Sequence, residues 1–314
     1  MTYQELIKNK KANQIRRKKI CIYCGITLLI RDPQSINHII SNPVKFKLKG
    51  MHDMVTGDDL GVFEGKYKNF RIRTGGNKRG VGVFIGGSLH KWKNATHNHD
   101  TFYWYELLKV LAEIANEFQF NPEEVDVCSV EGGLNILFGP TWKYKARQIP
   151  KNTILFKGEP KSSVRKKMPN GGYQLEMEKG ECTDKMYDKG RHYKLSYEVL
   201  RYEKRFLKFR SSGIRLFSNL LDVNLHDALG RKLLETFETI IIFQPEILDN
   251  GNLFEQERQF LLEHQNEHSW LRLRKERKYH GFRKRVKEYD RLITKYCPIN
   301  YKTEILQLMK LQLK

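Results

Sequence analysis

No stretch of this sequence stays apolar long enough to cross a bilayer. A spanning helix needs roughly 20 apolar residues in a row, and charged residues break every hydrophobic run before that length. A helical membrane protein is therefore excluded, and no partner role for a membrane is expected. The N-terminus has basic charge but no long apolar segment ending in small residues, so no secretory leader is expected. Cysteine is scarce and odd in number, five scattered through 314 residues, which argues against a disulfide framework and for a reduced, cytosolic chain. Repeats and low-complexity tracts are lacking. Acid is in deficit: 36 Asp and Glu face 57 Lys and Arg, a net charge of +21. A polyanion is the natural partner of such a chain, with a merely solubilising charge excess as the plainer alternative.

What is present divides into textures. Residues 1–50 are basic at first and weakly patterned, and are expected to form an N-terminal extension. From Met51, runs such as Phe70-Arg71-Ile72-Arg73 and Val81-Gly82-Val83-Phe84-Ile85 place β-formers between glycines, as antiparallel strands do. Thr101 is placed to cap a helix through about Phe118, with Leu107, Leu108, Leu111, Ile114 and Ala115 on one stripe. Val125 to Phe138 reads as a strand with a bulge at Gly132-Gly133. Leu216 to Phe243 is expected to be mostly helical, and the chain beyond Pro245 helix-rich and charged. Strands followed by helices predict an α+β fold, with a large antiparallel sheet, flanking helices and a basic helical C-terminal region. The expected domains are 1–50, a catalytic 51–245, and a DNA-binding 246–314.

The chemistry concentrates in two runs, Lys185-Met186-Tyr187-Asp188-Lys189-Gly190 and Leu200-Arg201-Tyr202-Glu203-Lys204-Arg205. In a strand, residues of equal parity share a face. Lys185, Tyr187 and Lys189 then lie together, as do Arg201, Glu203 and Arg205. Two ammonium groups beside Tyr187 favour its phenolate, although a lone tyrosine is more commonly a packed aromatic. Glu203 is either a functional carboxylate or one rung of an ion-pair ladder. Glu131 shares a face with Asn135, opposite the apolar Val130, Leu134 and Ile136, and is either solvated or available to a cation. A hard cation, Mg²⁺ or Mn²⁺, held by Glu131 and Glu203 would polarise a phosphodiester for in-line attack by Tyr187.

Four blocks together resemble the replication initiators of filamentous phages and rolling-circle plasmids. They are Gly87-Ser88-Leu89-His90-Lys91-Trp92 with His97-Asn98-His99-Asp100, then Ser129-Val130-Glu131-Gly132-Gly133-Leu134-Asn135-Ile136, and the two runs above leading to Gly213-Ile214. The resemblance covers roughly residues 51 to 245. It implies a metal-dependent, site-specific endonuclease and strand transferase that nicks one strand at a double-stranded origin, holds the 5′ phosphate on tyrosine, and later rejoins the strand. It puts the nucleophile at Tyr187 and the accompanying catalytic groups at Lys189 and Arg201. The metal positions fall on Glu131, where phage members carry Asp, and on Glu203. Lys185, His90 and Lys91 are the expected DNA contacts near the site. Implied partners are origin duplex, single-stranded DNA, and a host helicase and polymerase in a bacterial cytoplasm.

Other features support different readings. Cys21-Ile22-Tyr23-Cys24 followed by Asn37-His38-Ile39-Ile40 resembles the opening of a zinc-stabilised HNH nuclease, but no second cysteine pair follows to complete a zinc site. His97 and His99 are a candidate metal pair on an apparent loop. In the tail, Arg272, Arg274, Lys275, Arg277, Lys278, Arg283 and Arg285 are interleaved with Trp270, Tyr279, Phe282 and Tyr289. Such a segment can bind backbone phosphates and stack bases. A non-catalytic origin-binding or copy-control protein and an HNH nuclease are the competing functions.

Overall fold

The structure is a computed structural model; it describes residues 19–52, 56, 59–77, 80–95, 97–139, 145–155, 162–168, 170–276 and 279–314. Its frame is one ten-stranded antiparallel sheet in the order β2-β3-β4-β5-β1-β6-β11-β10-β9-β8. The strands are β1 (Tyr23–Ile30), β2 (Lys49–His52), β3 (Asp59–Tyr67), β4 (Phe70–Asn77), β5 (Gly80–Ser88), β6 (Asp126–Leu137), β8 (Ser162–Lys167), β9 (Tyr173–Lys179), β10 (Cys182–Asp188) and β11 (Val199–Phe206). The expected α+β class with a large antiparallel sheet is what the chain adopts.

One face of the sheet is covered. The helices α1 (Pro33–Ile40), α2 (Pro43–Phe46), α3 (Leu89–Asn94), α4 (Trp104–Phe118), α8 (Val223–Glu238) and α12 (Tyr301–Leu313) pack on it. The expected stripe on α4 is buried, from Leu107 to Ala115. The helix starts later than expected: Tyr103 is the cap, and its backbone N–H donates to the Glu106 carboxylate at 2.8 Å, an acid three residues into the helix reaching back to an orphan donor. Between these elements lie the short helices α5 (Gln148–Asn152), α6 (Lys189–His192) and α7 (Phe209–Ser212).

The expected domain boundaries do not follow the cores. β1 lies at the centre of the sheet, hydrogen-bonded to β5 on one side and β6 on the other, and α1 and α2 join the main core through Ile39 and Phe46, so residues 23–50 are not an extension. Residues 1–18 lie outside the described residues. The tail also divides. Strands β7 (Thr153–Leu155) and β12 (Ile241–Ile242) pair, and with α9 (Glu255–Glu263), α10 (Glu267–Glu276) and α11 (Tyr279–Tyr296) they enclose a second core around Trp270, Leu261 and Leu292. Helix α12 leaves that core and returns to the main one through Tyr301, Ile305 and Met309.

Candidate active site

The opposite face of the sheet collects the chemistry, and strand register explains how. β10 and β11 pair Tyr187 with Arg201 and Lys185 with Glu203. β11 and β6 pair Arg201 with Asn135, Glu203 with Gly133 and Arg205 with Glu131. Every second residue faces the same way in a strand, which groups residues within each strand as expected, and the register adds that Tyr187, Arg201, Glu203, Arg205, Glu131 and Asn135 share one side of the sheet.

The expected bulge at Gly132-Gly133 lies instead on the neighbouring strand. β6 and β11 pair without interruption through both glycines, whereas β1 gains a residue at Cys24, between Tyr23 opposite Gly132 and Gly25 opposite Glu131. A bulge redirects a side chain that regular alternation would send to the other face. Here it brings the Cys24 thiol to 3.3 Å from the Glu131 carbonyl and 3.8 Å from its carboxylate. The glycines serve close approach: a Cβ on Gly133 would lie 2.6 Å from the Tyr202 carbonyl and 2.9 Å from the Arg201 guanidinium. Glycine there lets Arg201 lie flat across β6.

The side chains interlock. The Tyr187 hydroxyl donates to Glu203 Oε1 at 3.2 Å, and Arg201 Nε donates to the same oxygen at 2.9 Å. Arg201 also donates to Asn135 Oδ1 at 3.1 Å, and Lys189 Nζ donates there at 3.0 Å and to the Asn98 carbonyl. Arg205 lies 3.2 Å from Glu131. One donor atom each from Cys24, Glu131 and Glu203 lies within 4.8 Å of the other two.

Burial and charge set the protonation. Burial, then the nearby Glu203 charge, pushes the Tyr187 phenol well above its ordinary range. This corrects the expectation that flanking lysines favour phenolate. Lys189 is not a strand residue; it opens α6, fully buried, and burial with the Arg201 charge pushes it down to about 6. Lys185 sits 4.0 Å from Glu176. Burial raises the Glu131 carboxyl, and the neighbouring Glu203 adds to this. Burial would raise Glu203 as well, but the charge and hydrogen bond of Arg201, together with the Lys189 and Lys185 charges, hold that carboxyl below the ordinary range. Two crowded carboxylates and a thiol are a donor set that a divalent cation fits, since it would relieve their repulsion; the thiol makes the set softer than an all-oxygen one.

Several expected residues fall elsewhere. His90 is buried in α3, stacked on Phe102 with its Nε2 2.6 Å from Asp100. Burial pushes it down to about 4, so it is a packed neutral imidazole with no surface for DNA. Lys91 lies over the Tyr193 ring at 5.9 Å. His97 and His99 have ring centroids 4.5 Å apart, but the ligand group found among the described residues is Cys24, Glu131 and Glu203. The HNH pattern disperses likewise: the Cys21 thiol donates to the Tyr23 carbonyl, and His38 lies against the Glu117 carbonyl at 3.2 Å.

In the tail, Trp270 and Tyr289 are buried in the second core with Phe282 packed on them, which removes them as base-stacking platforms. Arg272 pairs with Glu263 at 3.2 Å, Arg285 covers the Phe260 ring at 5.3 Å, and Arg283 is exposed. Arg277 and Lys278 lie outside the described residues, as do the side chains of Arg274, Lys275 and Tyr279.

Taken together, this is an α+β protein with a phenol, two carboxylates and a thiol on one face of an antiparallel sheet. No family profile matches the chain, and no curated protein matches it. Among solved structures it is similar to one described as the rolling circle replication initiator protein from Geobacillus stearothermophilus. The likeness has 12% identity, 76% coverage of this chain, 91% of that chain and a TM-score of 0.41. Superposition at that level carries no functional argument, and the chemistry rests on the site's own geometry.

Proposed function

We propose that this chain is a rolling-circle replication initiator, a metal-dependent DNA strand transferase with Tyr187 as nucleophile. The observation that carries the reading is convergence. Two consecutive strands and a third more than 50 residues earlier deliver a phenol, Glu203 and Glu131 to one patch of a strongly basic protein, with the phenol already 3.2 Å from a carboxylate oxygen.

Tyr187 Oη attacks the scissile phosphorus while its proton passes to Glu203 Oε1, a base within hydrogen-bond reach. The bond from phosphorus to the 3′ oxygen breaks, that oxygen takes a proton from solvent, and the 5′ phosphate remains on tyrosine. Rejoining reverses these bonds with a free 3′-OH as nucleophile. Glu131 and Glu203, with Cys24 beside them, would hold Mg²⁺ or Mn²⁺, which when bound supplies Lewis-acid polarisation of the phosphodiester. Arg201 fixes Glu203 and helps keep it ionised. Lys189 and Asn135 tie the 97–100 segment to the sheet, and Lys185 is left to face the DNA backbone. Helix α11 adds binding to origin duplex through its exposed cations, and a host helicase and polymerase extend the 3′ end.

Incubation with end-labelled origin DNA and Mn²⁺, then denaturing electrophoresis, is the direct test. A DNA-linked protein band, absent from Tyr187→Phe, is expected. A shift in native gels with no nicking would make the protein an origin-binding factor. Cleavage without attachment, lost in His38→Ala, would make it an HNH-type nuclease.

A further inference from the structure

A groove lies on the same face of the sheet and adjoins the site at Glu131. Its volume is about 770 Å³, and it runs over β3, β4, β5 and β1 to Glu131 and Arg205. Its composition follows from alternation on β4. Phe70, Ile72 and Thr74 point into the core, so Arg71 and Arg73 point out. Register sets Lys66 beside Arg71 and Glu64 beside Arg73. Arg73 is pulled toward Glu64 at 3.5 Å, whereas Lys66 and Arg71 are exposed and have no ion-pair partner among the described residues. Gly86 lies opposite Arg71, and Gly25 lies opposite Ser88 on one side and Glu131 on the other. Gly86 leaves backbone without a side chain beside Arg71, while at Gly25 the Glu131 carboxylate packs close, 3.0 Å from where a Cβ would lie. Phe84, half-buried, stands next to these glycines on the groove wall.

We infer that this groove binds a single DNA strand and feeds it to the Tyr187 site. Cations that follow a backbone, a glycine that admits it and an aromatic face for a base are the parts of a sequence-tolerant single-strand site. At about 4.8 Å per strand interval, Arg71 on β4 is roughly 14 Å from Glu131 on β6. The inference rests on the nicking reading for the identity of the strand, namely the one that carries the scissile phosphate. The groove was legible in part, since Phe70-Arg71-Ile72-Arg73 shows the alternation, but no local signal joins it to residues 60 positions away.

The test uses the full chain carrying Tyr187→Phe and a fluorescein-labelled oligothymidylate, with binding read by anisotropy across a salt series. The Lys66→Glu, Arg71→Glu double variant is expected to weaken binding at least about tenfold and to flatten the salt slope by roughly 1.4, about 0.7 for each lost contact. Phe84→Ala is expected to lose roughly tenfold, and Arg283→Glu in α11 much less. Photocrosslinking of the unmodified chain to a 4-thiothymidine oligonucleotide is independent of variant folding. Cross-links are expected in the peptide spanning Lys66 to Gly86. Unchanged binding by the groove variants, or cross-links confined to α11, overturns the inference. The nicking reading fails separately: a wild-type chain that forms no covalent adduct but keeps groove-dependent binding refutes that reading alone.

Discussion

The Tyr187 phenol and the Glu203 carboxylate are hydrogen-bonded at 3.2 Å across adjacent strands, and Arg201 holds the same oxygen at 2.9 Å. The phenol is thus protonated and waiting on a base, because burial and that same carboxylate hold it far above neutrality. Glu203→Gln keeps the shape and removes the base. Covalent adduct formation in single turnover is expected to fall by about 10²–10⁴, with oligothymidylate binding unchanged. The substitution also leaves a buried guanidinium unpaired, so a loss of about 3–5 kcal/mol in urea unfolding should accompany it. Adduct formation at the parental rate would remove Glu203 from the mechanism.

Cys24 is the second consequence of the geometry. The β1 bulge places a thiol against the Glu131 carboxylate. Thiols favour softer divalent ions than carboxylates do. Cys24→Ser is therefore expected to lower the ratio of Mn²⁺-supported to Mg²⁺-supported adduct formation by roughly tenfold, the scale of changes beside metal ligands. Rates with each ion at saturation provide the comparison. An unchanged ratio would place the thiol outside the coordination set and leave it only a donor to the Glu131 carbonyl.

How far the sequence revealed this site depends on which forces were local. Parity alone put Glu131 with Asn135 and Arg201 with Glu203, because a strand's period is fixed by the backbone. It could not give the state of Tyr187: flanking lysines are visible in a sequence, but the burial that outweighs them belongs to the fold. Lys189 was misplaced for a related reason, since the strand stops at Asp188, whose carboxylate accepts from the Arg191 N–H and starts α6. β1 was missed because Tyr23–Ile30 is buried almost throughout. Its sequence, with Gly25 and Thr27 set among Ile26, Leu28, Leu29 and Ile30, lacks the regular polar-apolar alternation that marks a half-exposed strand, and Cys24 together with Cys21 just before the strand matches the start of a zinc motif.

The paired glycines offer a test in which neighbours behave differently. A Cβ on Gly133 would meet the Tyr202 carbonyl at 2.6 Å and the Arg201 guanidinium at 2.9 Å, while one on Gly132 finds its nearest atoms at 3.9 Å. Gly133→Ala is expected to cost about 1–3 kcal/mol in urea unfolding, the range for overpacking, and to reduce adduct formation by displacing Arg201. Gly132→Ala should stay within about 0.5 kcal/mol of the parent. Equal effects at the two positions would mean that Arg201 does not lie across β6.

Lys189 makes the stability of the chain depend on pH in a calculable direction. Its ammonium is fully buried, and burial followed by Arg201 repulsion pushes it down to about 6 from 10.5. Between those values the unfolded chain binds the proton that the folded chain has released, so stability rises with pH across that window and is flat below it. Lys189→Met removes the titration. The difference in unfolding free energy, parent minus variant, is therefore expected to increase as pH goes from about 6 toward 10, measured by urea denaturation at fixed ionic strength. Hydrogen bonds from Lys189 to Asn135 and Asn98 are lost in the variant at every pH, which shifts the whole difference without changing its slope. A difference that stays level over the window would show that the ammonium keeps its proton in the fold, held there by the Glu203 charge.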